Sequence, residues 1–260
     1  MPTRLPVFAF LLLVVFAFTG DGSIFIREPY DFFTTDNLGN VYLVKNSVIR
    51  KFDSKGVFQK EFSNKNFGPV TSFDATNPLR LVVFYRDFSR VVFLDNTLSQ
   101  NGEPVALESL GFPLATLVCS SHDNGLWIYD QQNSELIRFD RNLQVENRTG
   151  NITQLTGQTL RPSFLLEADN KLFLDNPSSG ALVFDALGTY SQTLPVDSVR
   201  SFQVSDGSLY FFAHRKFTGM PISPGDLTVL PVSDTLVTGY RMEKNAFYAG
   251  TSEGVKIIPR

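Results

Sequence analysis

Apolar residues gather in short runs at a nearly constant interval along this chain, and a polar turn precedes each run. The runs are Val41–Val44, Leu81–Phe84, Leu126–Tyr129, Leu172–Asp175, Leu209–Phe212 and Ala246–Ala249, with starts 40, 45, 46, 37 and 37 residues apart. Before them stand Asp36-Asn37-Leu38-Gly39-Asn40, Asn77-Pro78, Asp123-Asn124-Gly125, Asp169-Asn170, Asp206-Gly207 and Lys244-Asn245. Asn, Asp and Gly accept the positive φ of tight hairpin turns, so each site predicts a hairpin. A second set of runs starts eight to ten residues after the first: Ile49–Asp53, Val91–Asp95, Leu136–Asp140, Ala181–Asp185, Phe217–Pro221 and Val255–Pro259. Four close on an apolar residue followed by Asp and two on Pro, residues that stop a strand and open the next turn.

A further strand candidate lies ahead of each first run: Phe32–Thr35, Val70–Asp74, Leu117–Ser121, Phe164–Glu167, Ser201–Val204 and Val237–Met242. Fourth strands show at Val57–Phe62, Thr189–Leu194 and Leu227–Val232. The unit is therefore about forty residues and four antiparallel strands, six times over, which is the signature of an all-β, six-bladed β-propeller. A helical solenoid would need a 3.6-residue period, and none runs through the chain. A seven-bladed ring and a β-sandwich are the alternative readings. The last unit has three strands only, and Ser23–Arg27 can supply its outer strand, joining both termini in one sheet and closing the ring.

The first twenty residues stand apart. Arg4 is followed by an unbroken apolar run, Val7–Phe18, that ends in Thr19-Gly20. A stable membrane span takes roughly 20 apolar residues, so residues 1–20 are expected to be a secretory signal peptide cleaved between Thr19 and Gly22, with the propeller occupying 21–260. The other reading is an uncleaved N-terminal anchor. No later segment is apolar enough to span a bilayer.

The whole chain of 260 residues carries 23 Lys+Arg and 26 Asp+Glu, a net charge of −3, and loss of the leader makes it −4. That balance argues against nucleic acid as a partner, which asks for a basic stripe. The single Cys119 excludes an intrachain disulfide, and with two histidines no Cys- or His-rich metal centre is expected. No cofactor is expected. The 25 phenylalanines suit blades that pack face to face through large side chains, and Trp127, inside an apolar alternation, is expected in that core.

The Asp/Asn-Gly turn, apolar strand and Phe-Asp pattern resembles the six-bladed propellers of the NHL and gluconolactonase-like class. Pro162–Leu174, Leu182-Val183-Phe184-Asp185 and Gly188-Thr189-Tyr190 are similar to a group of small exported propellers of unassigned role from Gram-negative bacteria that use type IX secretion. That resemblance implies a periplasmic or outer-membrane location and brings no catalytic motif. Gluconolactonase-like enzymes hold a metal through Glu, Asp and Asn at the innermost strands, as a hard cation requires. Of the strand starts here, Asp31 alone is a carboxylate, so that ring is missing. Asp74 and Glu167 lie near strand ends by the hairpin turns, where a solvated or hydrogen-bonded role is expected. Cys119 and His122 stand about 10 Å apart along an extended strand and on opposite faces, which rules against a nucleophile and its base. His122 and His214 are read as lone surface histidines. The chain is therefore expected not to be an enzyme. Asn147–Leu160, which contains two glycosylation sequons at Asn147 and Asn151, reads as the longest strand-free connection, either a functional loop or a cover over the gap between blades three and four.

Propellers bind through a flat face and the channel mouth. One face collects the loops between the first and second sets of runs: Lys45 and Asn46; Arg86 and Asp87; Asp130, Gln131 and Asn133; Asn176; His214 and Arg215; Glu253. Mixed charge with amides suits a protein surface, and Arg86 and Arg215 are the expected anchors. The function expected is a scaffold or accessory subunit of a bacterial cell-envelope complex with periplasmic or outer-membrane protein partners. The alternatives are a propeller that binds a small ligand or glycan, and a divergent metal-dependent lactonase-like enzyme.

Overall fold

The computed structural model describes residues 22–196, 199, 201–230, 232 and 236–260. The expected leader at 1–20 lies outside the described residues. From the channel outward, blade 1 is Phe32–Thr35, Val41–Lys45, Val48–Phe52 and Phe58–Ser63, and blade 2 is Ser72–Asp74, Leu81–Tyr85, Arg90–Leu94 and Val105–Ala106. Blade 3 is Ala115–Ser120, Leu126–Asp130, Glu135–Phe139 and Val145–Arg148; blade 4 is Phe164–Ala168, Lys171–Asn176, Gly180–Asp185 and Tyr190–Leu194. Blade 5 is Phe202–Ser205, Ser208–Ala213, Lys216–Pro221 and Thr228–Leu230. Blade 6 takes Gly239–Glu243, Ala246–Thr251 and Gly254–Pro259 from the end of the chain and Ile24–Ile26 from its beginning.

The closure expected from the three-stranded last unit is present, with Ile24, Phe25 and Ile26 paired antiparallel to Ile257, Lys256 and Val255. Gly254 marks how closely the strands meet there: its φ is +152°, and a Cβ on it would stand 2.0 Å from the Ile26 carbonyl oxygen.

The apolar runs are second strands, and most are buried along their whole length because both faces of a blade are covered. Alternate side chains enter different cores: Ile128 joins Val82 and Phe84 of blade 2, whereas Trp127 joins Leu172 and Phe184 of blade 4. Similar wedges of buried side chains lie between blades 1 and 2, 4 and 5, and 6 and 1. Blades 5 and 6 meet through a chain of rings, with Tyr240 at 4.9 Å from Phe217 and 5.7 Å from Phe247. The apolar-then-Asp signature is a turn device. The Oδ1 atoms of Asp53, Asp95, Asp140 and Asp185 each accept the amides two and four residues on, at 2.8–3.0 Å, as does Asp36 after its own strand. The Asp169-Asn170 and Asp206-Gly207 turns have positive φ at both positions, as two-residue hairpins require.

The 147–160 connection differs from its expectation. Val145–Arg148 is the outer strand of blade 3, and Ile152–Thr156 is a short helix capped by the Asn151 side chain. Ile152 is fully buried in the core between blades 3 and 4, so the segment covers that gap. The alternating Glu146 and Arg148 hid the strand because an outer strand has no second sheet face to bury.

Candidate functional site

The innermost strands enclose a channel of about 800 Å³ that runs from Thr71 and Arg86 on the face of the inter-blade links to Asn37, Thr76 and Asp169 on the hairpin face. Its upper wall is apolar, with Phe32, Leu117, Phe164 and Phe202; hydroxyls of Thr71, Thr116, Ser163 and Ser201 ring its mouth. Lower down the wall turns polar. The Glu243 carboxylate accepts from the Thr35 hydroxyl and, at 3.1 Å, from Gln203 Nε2. Gln203 Oε1 accepts the Met242 amide at 2.8 Å, and Arg241 Nε donates to Thr35 Oγ1 at 3.0 Å. Blades 5, 6 and 1 are thus tied across the closing seam by four side chains. Burial raises the Glu243 carboxyl above the ordinary glutamate range, against the donors Thr35 and Gln203 and the Arg241 charge. Burial lowers the Arg241 guanidinium, against the charges of Glu243 and Asp74.

On the far side of the ring, Asp74 Oδ2 accepts the amide and hydroxyl of Ser120, at 2.8 and 2.7 Å, joining blades 2 and 3. Glu167, 5% exposed, joins blades 4 and 3. It accepts Ser121 Oγ at 2.7 Å, the His122 amide at 2.9 Å and Trp127 Nε1 at 2.6 Å, and its Oε1 lies 2.6 Å from His122 Nδ1. Arg138 extends this set through Ser121 Oγ and ion pairs to Asp123 and Glu146. His122 is therefore not a lone surface histidine: its ring is seated on the carboxylate of the next blade. Cys119 is fully buried, and burial pushes its thiol well above the ordinary range. Trp127 is in the core, as expected.

All eleven residues expected on the binding face lie at the ends of second strands (Lys45, Asp130 and Asn176) or on the connections from second to third strands, hence on one face of the disc. Lys45, Asn46, Arg86, Asp87, Gln131, Asn133, His214, Arg215 and Glu253 are exposed. Asp130 and Asn176 are buried and their polar atoms are used within the protein, Asp130 inside its own loop and Asn176 also on the link that leads into blade 4. Asp130 holds the Gln132 amide and the Asn133 side chain, while Asn176 holds the Arg161 amide and both Ser178 and Ser179. Between blades 2 and 3, Phe88 and Leu114 are 51% and 53% exposed and flank the 3.1 Å bond from Ser89 Oγ to the Pro113 carbonyl. The sequence reading missed these two, and it missed Thr35, Gln203, Arg241 and Glu243. The one available signal for Glu243 was its place directly before the Lys244-Asn245 hairpin, where it pairs with Ala246.

No protein-family model matches the chain. A search of curated proteins finds no match either. Solved structures do match. Streptogramin B lyase aligns over 90% of this chain and 94% of its own, with a TM-score of 0.59 and 12% identity. BBS1N, solved in complex with ARL6DN, aligns over 85% and 76%, with a TM-score of 0.55 and 13% identity. The extracellular domain of the hybrid two-component system BT3049 from B. thetaiotaomicron aligns over 87% of this chain and 33% of that one, with a TM-score of 0.55 and 12% identity. At such identities the likeness is one of fold. It nevertheless corrects the expectation of a chain that is not an enzyme, because a lyase is built on a ring of the same kind. The physical reason is that side chains converge on a channel from blades far apart in sequence, so the lack of a contiguous motif excludes no activity. Nothing in the comparisons supports an association with type IX secretion.

Proposed function

We propose that this protein is an exported propeller that binds a protein partner of the cell envelope through the face of its inter-blade links, with Phe88 and Leu114 as apolar anchors beside Arg86. The observation that carries the reading is the pair of large apolar side chains standing half exposed next to an arginine, on the face where the polar loops gather. Aromatic and arginine side chains dominate the binding energy of protein interfaces, and a polar rim around them excludes water. The leader-like residues 1–20 support export, and the similar ring in the BBS1N complex with ARL6DN supports a protein partner.

The test is site-specific photo-crosslinking in the native envelope. A crosslinker at Phe88 or Leu114 is expected to yield one discrete adduct that Arg86→Glu abolishes, while a crosslinker at the exposed Leu187 of the opposite face yields none. Free monomer from all positions, or the adduct at Leu187 alone, overturns the proposal.

A further inference from the structure

The channel is a second feature, its mouth opening on the docking face at Thr71 and Arg86, and its chemistry is amphipathic. An apolar upper wall, with Phe32, Phe164 and Leu117, descends to the guanidinium of Arg241; Arg86 stands at the mouth, and Asp36, Asp74, Asp169 and Glu243 also line the channel. The cavity of about 800 Å³ is of a size that encloses a small organic molecule. Arg241 uses Nε on Thr35, and among the described residues its two terminal nitrogens have no hydrogen-bond acceptor and no carboxylate at ion-pair distance. The nearby acids are already hydrogen-bonded: Glu243 accepts from Thr35 and Gln203, Asp74 accepts twice from Ser120 and once from the Thr76 amide, and Asp36 accepts from the Leu38 and Asn40 amides, the Asn40 side chain and the Tyr42 hydroxyl. Two parallel donors in a fork, left without an acceptor, match a planar carboxylate.

We propose that the channel binds a small monocarboxylate with an aromatic or aliphatic body, the body against the phenylalanine wall and the head on the terminal nitrogens of Arg241. An ammonium head would leave the donors of Arg241 unpaired and would compete for carboxylates that already hold donors of the protein. A phosphate dianion would bring two charges beside Asp74 and Glu243, where a single charge is the smaller burden.

The experiment is calorimetric titration of the full chain with 4-phenylbutyrate, 4-phenylbutanol and 4-phenylbutylamine, which share a body and differ in the head. The acid is expected to bind about tenfold or more tightly than the alcohol, the difference made by charge-assisted hydrogen bonds, and the amine more weakly than either. Arg241→Gln is expected to bring the acid down to the alcohol's affinity, and Leu117→Trp, which fills the channel, to remove binding of both. Should Arg241→Gln fail to fold, the ranking of the three heads on the native chain decides alone. Equal binding of acid and alcohol, preference for the amine, no binding of the acid at millimolar concentration, or an acid affinity unchanged in a folded Arg241→Gln overturns the proposal.

Discussion

Glu167 and Glu243 stand at the hairpin ends of the innermost strands of blades 4 and 6, one residue out of register with each other: Glu243 pairs with Ala246, the first residue of its second strand, and Glu167 with Leu172, the second residue of its own. Glu167 turns between the sheets and collects donors from blade 3 alone: a hydroxyl, a main-chain amide, an imidazole and the indole of Trp127. Glu243 lines the channel, receives two side-chain donors from the flanking blades, and shares its surroundings with Arg241. A carboxylate that is enclosed and fully bonded is a fastener. One that faces a cavity beside a guanidinium with unused donors belongs to a site. The residue type is the same, and a one-residue step in register, which turns the side chain to the other face of the strand, decides which it becomes.

The comparison breaks most visibly if the fastener is removed. Glu167→Ala leaves the Trp127 indole, the Ser121 hydroxyl and the His122 amide without their acceptor in a buried place. A loss of about 3–5 kcal/mol is expected, as when one member of a buried charged set is deleted. Urea unfolding followed by Tyr and Trp fluorescence measures it, and a loss below about 1 kcal/mol would mean that water takes over the bonds. Trp127→Phe keeps most of the packing and removes one bond to the carboxylate, so about 1.5–3 kcal/mol is expected from the same measurement. His122→Ala leaves the main-chain bond to Glu167 in place and removes only a half-exposed ring; about 1 kcal/mol is expected.

The ring itself was readable because blade packing imposes a local pattern. Second strands are covered on both faces and must be continuously apolar, as in Leu126–Tyr129, and the Asp that follows a third strand is needed to bond the turn amides. The closing strand was readable from the deficit of one strand in the last unit. The sites were not readable, for the reason that their members come from different blades. Arg241 and Glu243 meet Thr35 across more than 200 residues, and Glu167 meets His122 and Trp127 across 45 and 40. Such pairs leave no spacing to find. Glu167 is legible as a hydrogen-bonded acid near a strand end by its hairpin turn, but its donors are not. Glu243 lies one residue beyond the strand candidate Val237–Met242. Val145–Arg148 escaped for the opposite reason: an outer strand with one exposed edge carries too little apolar alternation to be told from a polar loop.

The smallest effect tests the channel side of the comparison, and its sign is informative. Burial raises the Glu243 carboxyl above its ordinary value of 4.5, so in the interval between that value and the folded one the native chain holds a proton that the unfolded chain has released. Stability is therefore greatest below 4.5 as far as this group is concerned, falls as the pH rises through the interval, and is level above it. Asp175, also raised by burial, adds a fall of the same sign that starts near 3.8. Glu243→Gln keeps an acceptor for Thr35 and cannot ionise, so at neutral pH its unfolding free energy should lie within about 1 kcal/mol of the native value. Its stability curve should fall less between pH 4.5 and neutrality, leaving only the Asp175 part. Melting temperatures taken across that range compare the two curves. Parallel curves would show that Glu243 is solvated in the channel like a surface carboxylate; the contrast with Glu167 would then rest on register and donor number alone, and the desolvated setting of Arg241 would fail with it.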